Sequence, residues 1–200
     1  MADRELDHDR KVALGQLPLE VRSAFSALWG LDFAFADIVS TSSDPKLGAI
    51  RMAWWRERLE ELDRGDTAPA EPRLQAVASE LLARGVRGKE LSQLEDAWLP
   101  LLEPFPWASL QQNGLELRGS ILFGTGARLL GQQDEGAKAA GAIWSLLDAA
   151  HHCSDPKSRE LLRGQARLLL GKDNPSLPRK VRPLSVLAAL AAADLASGGS

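Results

Sequence analysis

Apolar residues recur along this chain at intervals of three and four rather than two. Met52, Trp55, Leu59 and Leu62 form an i, i+3, i+7, i+10 stripe, the mark of a helix with one buried face. Segments alternating apolar and polar residues between turn dipeptides are absent, and the chain has no tyrosine. The punctuation is helical as well. Asp44-Pro45 and Asp155-Pro156 each pair an N-cap residue with proline at the first helical position. Gly65, Gly85, Gly131 and Gly171 follow apolar-periodic runs, where a C-terminal cap is expected. The spacing predicts helices near 18–40, 45–63, 72–84, 89–103, 107–130, 136–153, 156–170 and 183–196. Residues 1–17 are read as an N-terminal arm, 18–196 as one all-α domain and 197–200 as a disordered tail.

The stretch from Ala27 to Leu62, ALWGLDFAFADIVSTSSDPKLGAIRMAWWRERLEEL, carries the strongest pattern. It reads as a helix, a polar break at Ser40 to Asp44, and a second helix with Trp54-Trp55-Arg56. This arrangement resembles the first substrate-binding segment of the squalene/phytoene synthase family. Leu115 to Gly131, with small residues Gly119, Ser120, Gly124 and Gly126, is similar to that family's mid-chain helix. Gly141 to Asp155, GAIWSLLDAAHHCSD, takes the place of its second aspartate-rich helix. There Asp148 falls on the family's Asn, while His151 and His152 fall on its Arg and first Asp. The resemblance implies an isoprenoid-synthase-like helical bundle, shortened at its C-terminal end. It also implies a central cavity in which Ala36 and Ser40 face Asp148 and His152.

The resemblance implies a chemistry that the residues do not match. Ionising an allylic diphosphate requires magnesium, which takes hard oxygen ligands. Carboxylates at i and i+4 share a helix face and can grip the metal from one side. Here that pair reads Ala36 and Ser40, and only Asp37 remains beside it. Asp32 lies five residues earlier, about 140° around the helix from Asp37, and does not replace the lost partner. Catalytic candidates are therefore restricted to Asp37, Asp148 and Asp155. Asp148 and His152, four apart, form a candidate metal pair suited to zinc, iron or manganese. Against this, Asp155 reads as the cap of the next helix, and the two histidines sit at a helix end where its dipole favours them.

The cavity candidates are Asp32, Ala36, Ser40, Arg51, Trp54, Arg56, His151 and His152. Trp55 belongs to the core stripe, whereas Trp54 and Arg56 fall off it. Trp98 and Trp107, near Pro100, Pro104 and Pro106, are expected to fill a corner between helices.

Composition narrows the classes. The net charge of -3 and the absence of a basic block exclude an electrostatic case for nucleic acid. A single cysteine, Cys153, excludes an internal disulfide and is read as structural. MADRELDHDRK lacks the apolar core of a signal peptide, and the longest apolar run, VLAALAAADLA, is too short to span a bilayer. The expectation is a cytoplasmic protein, with peripheral membrane contact left open. With the paired aspartates eroded, it resembles the family members of that kind, which include the mitochondrial complex I assembly factor. The leading expectation is a non-catalytic protein, needing no cofactor, whose cavity takes an isoprenoid or lipid-like ligand or a protein partner. The alternative is a divergent prenyl transferase of isoprenoid biosynthesis using Mg2+ and prenyl diphosphates.

Overall fold

The computed structural model describes residues 7–133, 135–173 and 177–196. Among these the fold is all-α, with no strand. In chain order the helices are α1 (His8–Gln16), α2 (Leu19–Thr41), α3 (Pro45–Asp63), α4 (Pro72–Ala76), α5 (Gly88–Leu91), α6 (Leu94–Trp98), α7 (Ser109–Leu129), α8 (Glu135–His152), α9 (Pro156–Asp173) and α10 (Arg182–Ala196). The tail read at 197–200 and the first six residues of the arm lie outside the described residues.

Local sequence explains most boundaries. The Asp44 carboxylate accepts the Lys46 N–H ahead of Pro45, which has no N–H to satisfy. Asp155 caps α9 in the same way, accepting from both the Ser158 N–H and its hydroxyl at 2.8 and 2.7 Å. Gly65, Gly85 and Gly131 all take positive φ at helix ends. Gly171 does not: α9 runs through it to Asp173.

Two expected helices differ in form. Residues 72–84 are helical throughout, but Val77–Leu81 widen into a π turn and Leu82–Arg84 tighten into a 3-10 turn before Gly85. The helix expected at 89–103 is broken into α5, α6 and a 3-10 turn at Leu99–Leu102. Its start is fixed from outside, since the Asp63 carboxylate accepts the N–H groups of Gly88 and Lys89 at 2.6 and 2.8 Å. A side chain at residue 88 would overlap the Leu59 carbonyl, so this entry admits only glycine. Tertiary contact with α3, which periodicity along the chain does not register, sets the break.

The stretch read as an arm is a further difference. Residues 8–16 form α1, which packs against α10 and buries Arg10 and Ala13. It was missed because only nine residues are helical and few are apolar. Asp7 caps it by accepting the Arg10 N–H at 2.8 Å.

Around α2 the core closes on more than one face. Phe25, Leu28, Leu31, Phe35 and Ile38 are all buried, and so is Asp32 in the middle of them. α2 meets α3, α4, α6 and α7, while α8 is packed between α7, α9 and α10. The tightest crossing joins α7 to α8, where Gly119 and Gly141 bring the two backbones together. The small residues of α7 thus serve helix contact: Gly126 lies against Phe25 and Leu184, and Gly124 against Lys138. Met52, Trp55, Leu59 and Leu62 are buried, as their stripe predicts. No helix among the described residues is long and apolar enough to cross a membrane.

Candidate functional site

Between α2, α7, α8 and the Glu103–Trp107 loop lies a cavity of about 600 Å³. Ala36 and Ser40 of α2 line it together with Asp148 and His152 of α8. Its apolar wall comes from Phe33, Val39, Leu101, Phe105, Trp107 and Leu115. Trp98 and Cys153 also reach it. Burial pushes the Cys153 thiol up, which fits a structural role.

The polar end of this cavity is a buried ion cluster. Arg118 grips Asp32 with two hydrogen bonds, Nε to Oδ1 at 2.8 Å and Nη2 to Oδ2 at 2.7 Å. Its remaining nitrogen, Nη1, reaches the Asp148 carboxylate at 2.9 Å and the Ser145 hydroxyl at 3.2 Å. From α1, Arg10 donates to both Asp148 oxygens at 3.3 Å and pairs with Asp7 at the rim. Trp98 completes the set by donating its indole N–H to Asp32 at 3.0 Å. Both guanidinium planes lie near aromatic faces: Arg118 is 4.8 Å from the Trp98 ring centre, Arg10 is 5.1 Å from that of Phe33, and Trp144 is close to both. Such contacts favour cations where water is excluded.

Burial sets the electrostatics. Asp32 is fully buried, and Arg10 and Arg118 are each only 3% exposed. Desolvation favours the neutral forms, but the pairing outweighs it. Burial would lower the Arg118 pKa, yet Asp32 and then Asp148 raise it above the ordinary range. Arg10 is likewise raised: desolvation opposes its charge and Asp148 favours it most. Desolvation would raise the Asp148 pKa, but Arg10 and Arg118 hold its carboxyl well below the usual carboxylate range. A depressed folded-state pKa means that stability is fully present above the unfolded value of about 3.9 and is lost as pH falls toward the folded value. Acid titration of unfolding should therefore show stability falling steeply below about pH 4, and Asp148→Asn should flatten that fall.

The other candidates lie elsewhere. Asp37 does not line the cavity and pairs with Arg73 at 2.9 Å, while the α2 carboxylate in the ion cluster is Asp32. Asp155 is engaged as the α9 cap. Arg51 donates to the Thr41 and Ser42 hydroxyls, tying α3 to the end of α2. Arg56 pairs with Glu95 at 3.3 Å, and Trp54 packs edge-on against Trp55. None of these three α3 residues lines the cavity. His151 and His152 stand at the exposed end of α8, and His152 bonds the Asp148 carbonyl through Nδ1 at 2.8 Å. His152 Nδ1 is 4.0 Å from the Asp148 carboxylate, which the two arginines already engage. Among the described residues no group of three or more His, Cys, Asp or Glu side chains is arranged to hold a metal ion.

Sequence reasoning missed Arg10, Arg118, Ser145 and the Trp98 donor. A signal for Arg118 was present. It sits between Leu115 and Leu122 on an otherwise buried stripe of α7, where a charge requires a buried partner. Asp32 carries the same signal inside Leu31 to Phe35.

Residues 4–93 match the family model described as squalene/phytoene synthase. No curated protein and no solved structure matches the chain. The matched segment covers α1 to α5 and therefore contributes Arg10 and Asp32 to the cluster, while Arg118 and Asp148 lie beyond it. An all-α, isoprenoid-synthase-like fold and this match together make the chain squalene/phytoene synthase-like over residues 4–93.

Proposed function

We propose that this is a non-catalytic squalene/phytoene synthase-like protein whose central cavity holds a lipid-like ligand. One observation carries the reading: the carboxylates of Asp32 and Asp148 are held by Arg118 and Arg10. Magnesium and a diphosphate would need those carboxylates free on facing helices. The donor set does not fit that ion, because two guanidinium groups occupy the space between the carboxylates and already balance their charge. A cationic metal placed there would meet like charge from both arginines. Releasing Asp32 would also strip buried Arg118 of two charge-assisted hydrogen bonds, at a cost of several kcal/mol.

Apolar residues and a volume within the usual range for small-molecule sites support a lipid-like occupant. A role in assembling a respiratory complex rests on the likeness to family members with eroded aspartates, an analogy of fold and not of site. A cytoplasmic location with peripheral membrane contact belongs to the same reading.

Thermal unfolding across a magnesium titration tests this. A specific site at a hundredfold over its dissociation constant would stabilise the fold by roughly 2.7 kcal/mol. The expected result is no saturable shift, with or without an isoprenoid diphosphate analogue. A saturable shift strengthened by the analogue would favour the divergent prenyl transferase.

A further inference from the structure

The charges around the cavity decide which lipid-like head group it accepts. Its positive groups are Arg10 and Arg118, and each is already committed. Facing them are Asp7, Asp148 and, behind Arg118, Asp32, with Glu103 also on the wall. Carboxylates therefore outnumber guanidinium groups, and neither arginine is left over for an anionic ligand. The other polar groups of the wall are the Ser40 and Ser154 hydroxyls and the His152 ring. A neutral oxygen can hydrogen-bond to groups of this kind without bringing charge into the cavity.

Resting on the ligand-holding reading above, we propose that the cavity takes an uncharged apolar chain bearing one acceptor oxygen. It rejects the same chain carrying a diphosphate. The neutral head group hydrogen-bonds to the polar side chains of the wall and otherwise loses little hydration. A diphosphate gives up the hydration of several negative charges and finds both arginines already paired, while facing an excess of carboxylates. The apolar body contacts Phe33, Val39, Phe105, Trp107 and Leu115 in either case. Selection between the two therefore rests on the head group alone.

Farnesol and farnesyl diphosphate make the comparison, since they share a chain and differ in the head. Both are titrated against the full chain, with and without magnesium, using tryptophan fluorescence because Trp98 and Trp107 line the cavity. Ala36→Trp, on the α2 wall, serves as the blocked variant, with its helicity checked by circular dichroism. The expected result is a farnesol dissociation constant at least tenfold below that of the diphosphate, and loss of farnesol binding in Ala36→Trp. Diphosphate binding as tight as farnesol or tighter overturns the charge selection while leaving a ligand-holding cavity in place. Failure of both to bind removes the ligand-holding reading itself. Farnesol binding unchanged in a folded Ala36→Trp places the ligand outside this cavity and also overturns the proposal.

Discussion

Arg118→Met is expected to destabilise the protein by about 3–5 kcal/mol, the cost of removing one partner from a buried pair. Asp32 is fully buried, and Arg118 supplies two of its hydrogen bonds. Trp98 would still donate to one oxygen and Arg10 would remain 3.9 Å from the other, but neither replaces the two short charge-assisted hydrogen bonds. Asp148 would retain Arg10, so the loss should centre on Asp32. The double variant Asp32→Asn with Arg118→Met removes the stranded charge and should recover a large part of the loss. Urea unfolding of the two single variants and the double variant measures the coupling, provided the denaturant slope stays constant. Strictly additive losses would mean that the two groups do not depend on each other.

A loss of comparable size is expected from Gly119→Ala, with Gly141→Ala as its counterpart. A Cβ at either position would overlap backbone atoms of the other helix: the Gly141 carbonyl in the first case and the Gly119 carbonyl in the second. A flexible side chain can swing aside from such an overlap; a carbonyl inside a hydrogen-bonded helix cannot. α7 and α8 would have to separate, and overpacking of this kind costs about 1–3 kcal/mol or more. Arg118 neighbours Gly119, and Ser145 lies one turn beyond Gly141, so the separation would also loosen the ion cluster. The outcome to measure is a shared drop in melting temperature and a change in farnesol affinity. Wild-type stability in both variants would show that the helices do not meet at this crossing.

The fold was legible because its signals are local. Proline after aspartate marked the starts of α3 and α9, and the Met52 to Leu62 stripe marked the buried face of α3. Elements set by distant contacts were not legible. α5 begins where Asp63 captures two N–H groups, and α1 is too short and polar to announce itself. The site was half visible for the same reason. Ala36, Ser40, Asp148 and His152 all line one cavity. The arginines that fill its polar end come from α1 and α7, far from the aspartates in sequence, and no spacing rule links them. Choosing Asp37 over Asp32 followed from counting positions around an isolated helix. Burial adds what that count omits, because Asp32 is the carboxylate with a buried guanidinium to meet.

Magnesium-dependent release of diphosphate is the measurement that bears most directly on the central claim, that arginines hold the carboxylates a prenyl transferase would give to metal. Purified wild-type protein is incubated with farnesyl or geranylgeranyl diphosphate and magnesium, beside Asp148→Asn and a protein-free control. The expected result is release from wild type equal to both controls. Release above the control by wild type that disappears in Asp148→Asn would contradict the claim, since it would require Asp148 to leave its arginines and serve the metal.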